Sequence, residues 1–369
     1  ANELPPLLQS LITVDQTIHW ADPLMQMGNM LPYAGPAPAV VHLHGGEVPS
    51  AFDGGPDAWF THSGIYGPGF VSNMFTYPNT QEAATLWFHD HTLGATRLNV
   101  YAGLAGFYFL RDTNDTGQPG NTPNLPVGNY EMEIAIQDRM FDANGQLYFP
   151  ALGINPEHPY WLPEFFGDVI VVNGKSWPYL NVEPRRYRFH FLDGSNARFY
   201  DLSLDTGLAT RPFFYQIGTD GGLLDAPVLM KSLLMAPGER SDVIIDFTNF
   251  AGQTITLRNN AKAPFPNGAK ADPKTVGQIM QFRVVLPLNG TDTTANPALG
   301  AALRPTPMVK LTTGGVPPAS FDQKRQLTLN EVMGMPQGIY PGGPLEILVN
   351  NSKWMAAVSE TPRVGATEV

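Results

Sequence analysis

Two short stretches carry residue types that can do chemistry at a spacing that matters. "VVHLHGG" holds His42 and His44, and "LWFHDHTLGATRLNV" holds His89 and His91. Half of the eight histidines in the chain therefore lie in two H-x-H units. In a β-strand, residues i and i+2 leave the same face about 6.5–7 Å apart. Each unit thus aims two imidazoles at one volume, and two such strands side by side offer four. The intervening Leu43 and Asp90 face the other way. Imidazole suits copper, zinc, iron and nickel. The plainer reading is that these are satisfied polar residues on a strand. Two pairs, each on an apolar run followed closely by glycine, favour metal. Zinc would more often recruit carboxylate or cysteine from nearby.

Strands must position such pairs, and the composition supplies them. The chain has 369 residues, which suggests two or three domains. It is 43% hydrophobic, enough for a sizeable core, while 37 glycines and 35 prolines with only 15% charged residues suit many short strands joined by turns. Strand-like runs recur from "AVVHLH" and "ATLWFHDH" through "AGFYFLRD", "EMEIAIQD", "DVIVVNG", "RYRFHFLD", "SDVIIDF" and "QTITLRN" to "RQLTLNEV" and "LEILVN". Gly, Pro, Asn and Asp clusters bound them, an all-β pattern. No long amphipathic helix is expected; "PNTQEAATLW" opens with a helical turn at most. Two polar, Pro/Gly-rich stretches, Thr113–Tyr130 and Pro287–Ser320, read as linkers. They divide the chain into residues 1–112, 131–286 and 321–369: a sandwich, a sandwich and an incomplete sandwich. The last part is too short to close a two-sheet core, and the first begins in proline-rich coil. The expectation is that something is missing at both ends.

The remaining composition excludes function classes. A net charge of −11 argues against a nucleic-acid binder. No run of 18 apolar residues occurs, so no transmembrane helix is expected. The N-terminus lacks the features of a signal peptide, although a mature chain would already have lost one. Cysteine is absent, which removes disulfides, thiol nucleophiles and zinc ribbons and leaves the compartment open.

The histidine stretches, taken at length, carry a resemblance. "VVHLHGGEVPSAFDGGPDAWFT" and "LWFHDHTLGATRLNVYAGLAGFYFLRD" resemble the first two copper-binding motifs of the multicopper oxidases, in the branch of spore-coat laccase, phenoxazinone synthase and bilirubin oxidase. "VNGKSWPYLNVEPRRYRFHFLDGSNARFYDL", "IGTDGGLLDAPV" and "LMAPGERSDVIIDF" resemble the second domain of that branch in order and spacing. The resemblance covers nearly the whole chain. It implies tandem cupredoxin-like domains, each a Greek-key β-sandwich, three in the complete protein. A type 1 copper would take single electrons from phenols, aminophenols or bilirubin-like donors. A trinuclear cluster of one type 2 and two type 3 coppers would reduce O2 to water. By motif position, His42 resembles the type 2 ligand, and His44, His89 and His91 resemble type 3 ligands. The H-P-x-H-x-H and H-C-H motifs of the third domain are not present, and with them go the type 1 ligands. The resemblance therefore implies the larger part of a laccase-like oxidase, needing a companion chain or segment that carries those motifs. It favours an extracellular, periplasmic or spore-coat location. The alternative is a non-catalytic copper-binding or structural cupredoxin protein; against it, "RQLTLNEV" and "LEILVN" would be orphan strands. A two-domain nitrite reductase needs a type 1 cysteine, which the chain lacks.

Other residues receive specific expectations. Asp53 lies nine residues after His44 in "FDGGPDAW", where the resemblance implies an acid near the type 2 copper that relays protons. It is also good turn chemistry before Gly54-Gly55. Asp90 is expected to be structural, and Trp87 and Phe88 to pack beside the cluster and keep it dry. His190 should share a face with Arg188 and Arg186 and bind no metal. His19, His62 and His158 sit in loop-like sequence without a partner at ligand spacing. The methionines read as gap-filling core.

Overall fold

Period-two burial decides most of the architecture. The computed structural model describes residues 37–150, 162, 164–310, 320–334, 344–354 and 356–369. His19 and His158 lie outside them. In the first sheet, β1 (Val41–His44) and β3 (Ala105–Phe109) flank β2 (Thr85–Asp90), all antiparallel. Leu43, Ala84, Leu86 and Leu110 form its small core. The "PNTQEAATLW" run holds no helical turn. A six-residue helix, α1 (Thr96–Tyr101), follows the second histidine pair instead. It buries Leu98, Val100 and Tyr101 and returns the chain to β3.

The second sandwich is larger. Its strands are β4 (Glu131–Arg139), β5 (Val169–Val172), β6 (Lys175–Ser176), β7 (Tyr179–Val182), β8 (Arg186–Asp193), β9 (Tyr200–Asp205), β10 (Phe214–Thr219), β11 (Gly222–Met230), β12 (Leu233–Met235), β13 (Arg240–Asp246) and β14 (Thr254–Asn259). A two-residue pair, β15 (Lys262–Ala263) and β16 (Ala269–Lys270), precedes β17 (Gln278–Val284). One sheet runs β11-β10-β13-β8-β4-β5-β6 and the other β12-β9-β14-β17-β7. Most neighbours are antiparallel; β4–β8 and β17–β7 are parallel. The core between them holds Phe189, Phe191, Phe214, Phe247, Phe282 and Tyr200, all fully buried. Each such side chain contributes about 1.5–3 kcal/mol on burial.

Strand β8 is buried on both faces, which explains "RYRFHFLD". Tyr187, Phe189 and Phe191 enter the core. Arg188 and His190 point the other way, into the contact with the first sheet. There His190 Nδ1 meets Thr85 Oγ1 at 2.7 Å and His190 Nε2 meets Glu131 Oε1 at 2.8 Å. Arg240 Nε donates to the Thr85 carbonyl at 3.0 Å. Residues of the Pro/Gly-rich stretches next to the second sandwich, up to 306, pack onto it. Leu125 and Leu303 share an apolar cluster with Ile217, Leu223 and Ile244, and Asp115 is buried against Arg188.

Residues from Pro307 onward belong to a separate unit. Among its described residues, β18 (Leu329–Met333) and β19 (Pro344–Val349) pair antiparallel, Leu329 opposite Val349. "RQLTLNEV" and "LEILVN" thus pair with each other. Leu329 and Ile347 remain 82% and 62% exposed, an apolar face on a two-stranded ribbon.

Candidate metal centre

Strand register assembles the site. His42 on β1 lies opposite His89 on β2, and His44 lies opposite Trp87. Residues 42, 44, 87 and 89 therefore share one face. His91 sits just beyond β2, where its backbone N–H donates to the Val40 carbonyl at 2.9 Å and holds it beside β1. The four rings converge: centroid separations are 5.4 Å for His42–His89, 5.4 Å for His44–His89, 4.8 Å for His42–His91 and 5.8 Å for His89–His91. Ligand nitrogens of His42, His44 and His89 all lie within 4.8 Å of one another.

Backbone carbonyls orient the rings. His42 Nδ1 is 2.6 Å from the Asp53 carbonyl, and His89 Nδ1 is 2.7 Å from the Asp90 carbonyl. A ring nitrogen facing a carbonyl carries the proton and donates, which leaves Nε2 with a free lone pair. His44 Nδ1 lies 3.2 Å from His89 Nε2, so these two rings direct nitrogen at a common point. His91 Nδ1 is buried with no hydrogen-bond partner. An orphaned buried imidazole nitrogen among three convergent ones is what a metal ion would satisfy. Electrostatics agree. Burial, then the Arg240 charge and the neighbouring imidazoles, hold His44 down to about 4. Burial likewise holds His89 down to about 4, against its bond to the Asp90 carbonyl. His91 is lowered by burial and by His42, against Asp53. These rings are neutral at pH 7, the form that ligates. The donor set is imidazole alone, which fits copper.

Glycine sets two close approaches. Gly54 has φ +74°, and a Cβ there would lie 2.0 Å from the Val41 carbonyl oxygen. The Asp53-Gly54 turn therefore lies directly on β1, which brings the Asp53 carbonyl to His42. Asp53 Oδ1 stands 3.4 Å from the same His42 nitrogen, with the carboxyl half exposed. Gly238 has φ +85°, and a Cβ there would come 3.3 Å from His44 Cε1. Pro237, Gly238, Ser195 and Asn196 of the second sandwich thus close one side of the histidine cleft, while Thr96 and Arg97 of α1 line another part.

The neighbours divide as period two requires. Asp90 faces away from the ligands: Oδ1 accepts from Val40 N–H at 2.9 Å and Thr92 hydroxyl at 2.9 Å, and Oδ2 from Thr92 N–H at 3.1 Å. Its role is to fasten the end of β2. The Trp87 ring lies tilted against His89 at 4.3 Å and His44 at 5.2 Å, covering the site. Phe88 does not. As the residue adjacent to His89 it must lie on the opposite face, where it stands over Gly106 and is 38% exposed. His190 is satisfied by Thr85 and Glu131, and His62 is exposed. The contribution of Ser195, Asn196 and Gly238 was not expected from sequence; the Pro-Gly turn of "APGER" was its only local signal.

A family model described as multicopper oxidase matches residues 24–115, a span that includes all four histidines and Asp53. The laccase of Bacillus stratosphericus is 40% identical over 100% of this chain, and that of Bacillus subtilis 39% identical over 100%. The chain belongs to the multicopper oxidase family. It spans 66% and 65% of those two relatives. Among solved structures, the McoA multicopper oxidase from Aquifex aeolicus superposes with a TM-score of 0.66 at 28% identity, covering 86% of this chain and 60% of that one. This multicopper oxidase chain is almost all strand, as are the cupredoxin-fold oxidases that it resembles. The family implies copper.

Proposed function

We propose that this chain supplies the first-domain half of a trinuclear copper site in a laccase-like oxidase, which takes single electrons from phenolic or other aromatic donors and reduces O2 to water. The observation that carries the reading is the convergence of the His42, His44 and His89 imidazoles on one sheet face, with the His91 ring beside them just past β2. His42 would hold the type 2 copper, and His44, His89 and His91 the type 3 pair. Copper, when bound, supplies the one-electron chemistry and the affinity for O2. The chain's own residues hold and orient the ligands and exclude water with Trp87. The chain has no cysteine, so the thiolate of a blue copper site must come from a companion segment carrying H-C-H, with the other cluster ligands on H-P-x-H-x-H. The test is to refold residues 1–369 with copper alone and then with that segment. We expect a colourless, inactive chain that gains blue colour, donor oxidation and water-forming O2 uptake on complementation. Turnover by the chain alone, or copper uptake without turnover after complementation, would overturn the proposal; the second outcome would favour a non-catalytic copper protein.

Asp53 is assigned the handling of protons that O2 reduction consumes. Its half-exposed carboxyl joins solvent to the His42 ring. Asp53→Asn in the complemented enzyme should slow reoxidation by O2 about 10²–10⁴-fold, the usual loss for one general acid, and leave reduction by the donor unchanged. Stopped-flow traces of the two half-reactions separate these. Equal reoxidation rates would leave Asp53 as the turn residue that carries the His42 hydrogen bond.

A further inference from the structure

Behind the Ser195–Asn196 side of the cleft lie two carboxyl groups that the proposed function does not use. Asp138, near the end of β4, and Asp193, the last residue of β8, are both 0% exposed. The two strands run side by side in parallel, with Ile136 opposite Asp193. Each carboxyl has one partnered and one unpartnered oxygen. Asp193 Oδ1 accepts from the Ser195 N–H at 2.9 Å, while Oδ2 has no hydrogen-bond partner. Asp138 Oδ2 accepts from the Gly167 N–H at 2.7 Å and from Arg198 Nε at 2.8 Å, while Oδ1 has none. Ser195 joins them. Its hydroxyl oxygen accepts from the Asp138 N–H at 3.2 Å and meets the Tyr200 hydroxyl at 2.9 Å.

Buried ionised oxygens without donors are costly, and two carboxylates that share a site do not both ionise. A carboxylic acid removes the charge and supplies a donor. We propose that Asp138 and Asp193 form a proton-binding site that holds one proton at neutral pH, carried by Asp193, with Asp138 kept as the carboxylate by its ion pair to Arg198. The charged and titratable groups around the pair fit this division. Arg198 and Arg139 face Asp138, and Tyr101 and Tyr200 lie near it. Asp193 faces Asp138 and Glu239, which raise it, and Ser195, which lowers it, with no cation among these groups. Burial raises both acids, Asp193 much further, because Arg198 opposes the effect only at Asp138. The ligand of this site is thus the proton, held two residues before a cleft wall whose Ser195 N–H the Asp193 carboxyl helps to fix. The inference stands whether or not the cleft binds copper.

Infrared spectroscopy of the full chain labelled with ¹³C-aspartate tests it. At pH 7 we expect an acid carbonyl band that shifts with the label and is absent from Asp193→Asn. A second measurement reads the bound proton. The folded state keeps a proton that unfolded aspartate releases above about 3.9, so stability falls as pH rises through this window. One such proton changes the folding equilibrium about tenfold per pH unit. Asp193→Asn should lose that component, so its advantage over the unaltered chain should grow about tenfold per unit from pH 5 to 7. No labelled acid band at pH 7 would overturn the proposal, as would parallel stability curves. If Asp193→Asn does not fold, the labelled band in the unaltered chain decides alone.

Discussion

His89→Ala should weaken copper binding to the histidine face by more than about 100-fold. Loss of an outer partner of a ligand already costs about 10–100-fold, and His89 is itself the hub of the set. Its ring lies 5.4 Å from both His42 and His44 and 5.8 Å from His91, and it lies tilted against Trp87. Without it, the remaining imidazoles no longer surround one point, and a cavity opens under the indole. The backbone pairing of β2 does not depend on the imidazole, so the circular dichroism should stay that of a β protein. Copper content by mass spectrometry after dialysis, measured beside Phe88→Ala, checks the assignment. Phe88 lies on the other face, so its variant should keep copper. Equal copper in His89→Ala and the unaltered chain would refute the site.

Arg188→Ala should be the most damaging single change to stability, at about 3–5 kcal/mol, the usual cost of breaking a buried ion pair. Arg188 is buried between Asp115 of a connecting loop and Asp242 of β13: Nη2 donates to Asp115 Oδ2 at 2.7 Å and to Asp242 Oδ2 at 2.6 Å, and Nε donates to Asp242 Oδ1 at 3.0 Å. Those carboxylates hold the guanidinium protonated against its burial. Removing it leaves the buried Asp242 carboxylate without its guanidinium and Asp115 with Arg111 alone. Replacing charge and counter-charge together, as Arg188→Met with Asp242→Leu, should recover part of the loss, because apolar replacement of a buried pair is often near neutral. Denaturant melts of the three proteins measure this. A loss under about 1 kcal/mol in Arg188→Ala would mean that water reaches the network.

Much of this was legible in the sequence, and the limits have physical reasons. The H-x-H pairs and the strand period put His42 with His44 on one face because both signals are local, whereas the pairing of β1 with β2 and the hold of Val40 on His91 are tertiary. The same period, applied strictly, separates Trp87 from Phe88, although both are aromatic and adjacent to ligands. Helix α1 escaped because six residues are too few for a 3.6-residue pattern to declare itself. The packing of Leu125 and Leu303 escaped because single apolar residues in Pro/Gly-rich sequence carry no period. The Ser195, Asn196 and Gly238 wall is tertiary: it reaches His44 from more than 150 positions away in sequence, and no local pattern encodes that approach.

Thr85 binds the first sheet and the second sandwich to a common fate. Its hydroxyl meets His190 and its carbonyl meets Arg240, both on the second sandwich, and it begins the strand that carries His89. A chimera that exchanges the second sandwich with that of a relative would therefore inherit a mismatch at the root of the metal-bearing strand. Residues Thr85, Glu131, His190 and Arg240 form one transferable unit. Recombination breakpoints that keep the four together should yield chimeras that load metal, and breakpoints that split them should yield folded halves whose imidazoles are out of alignment.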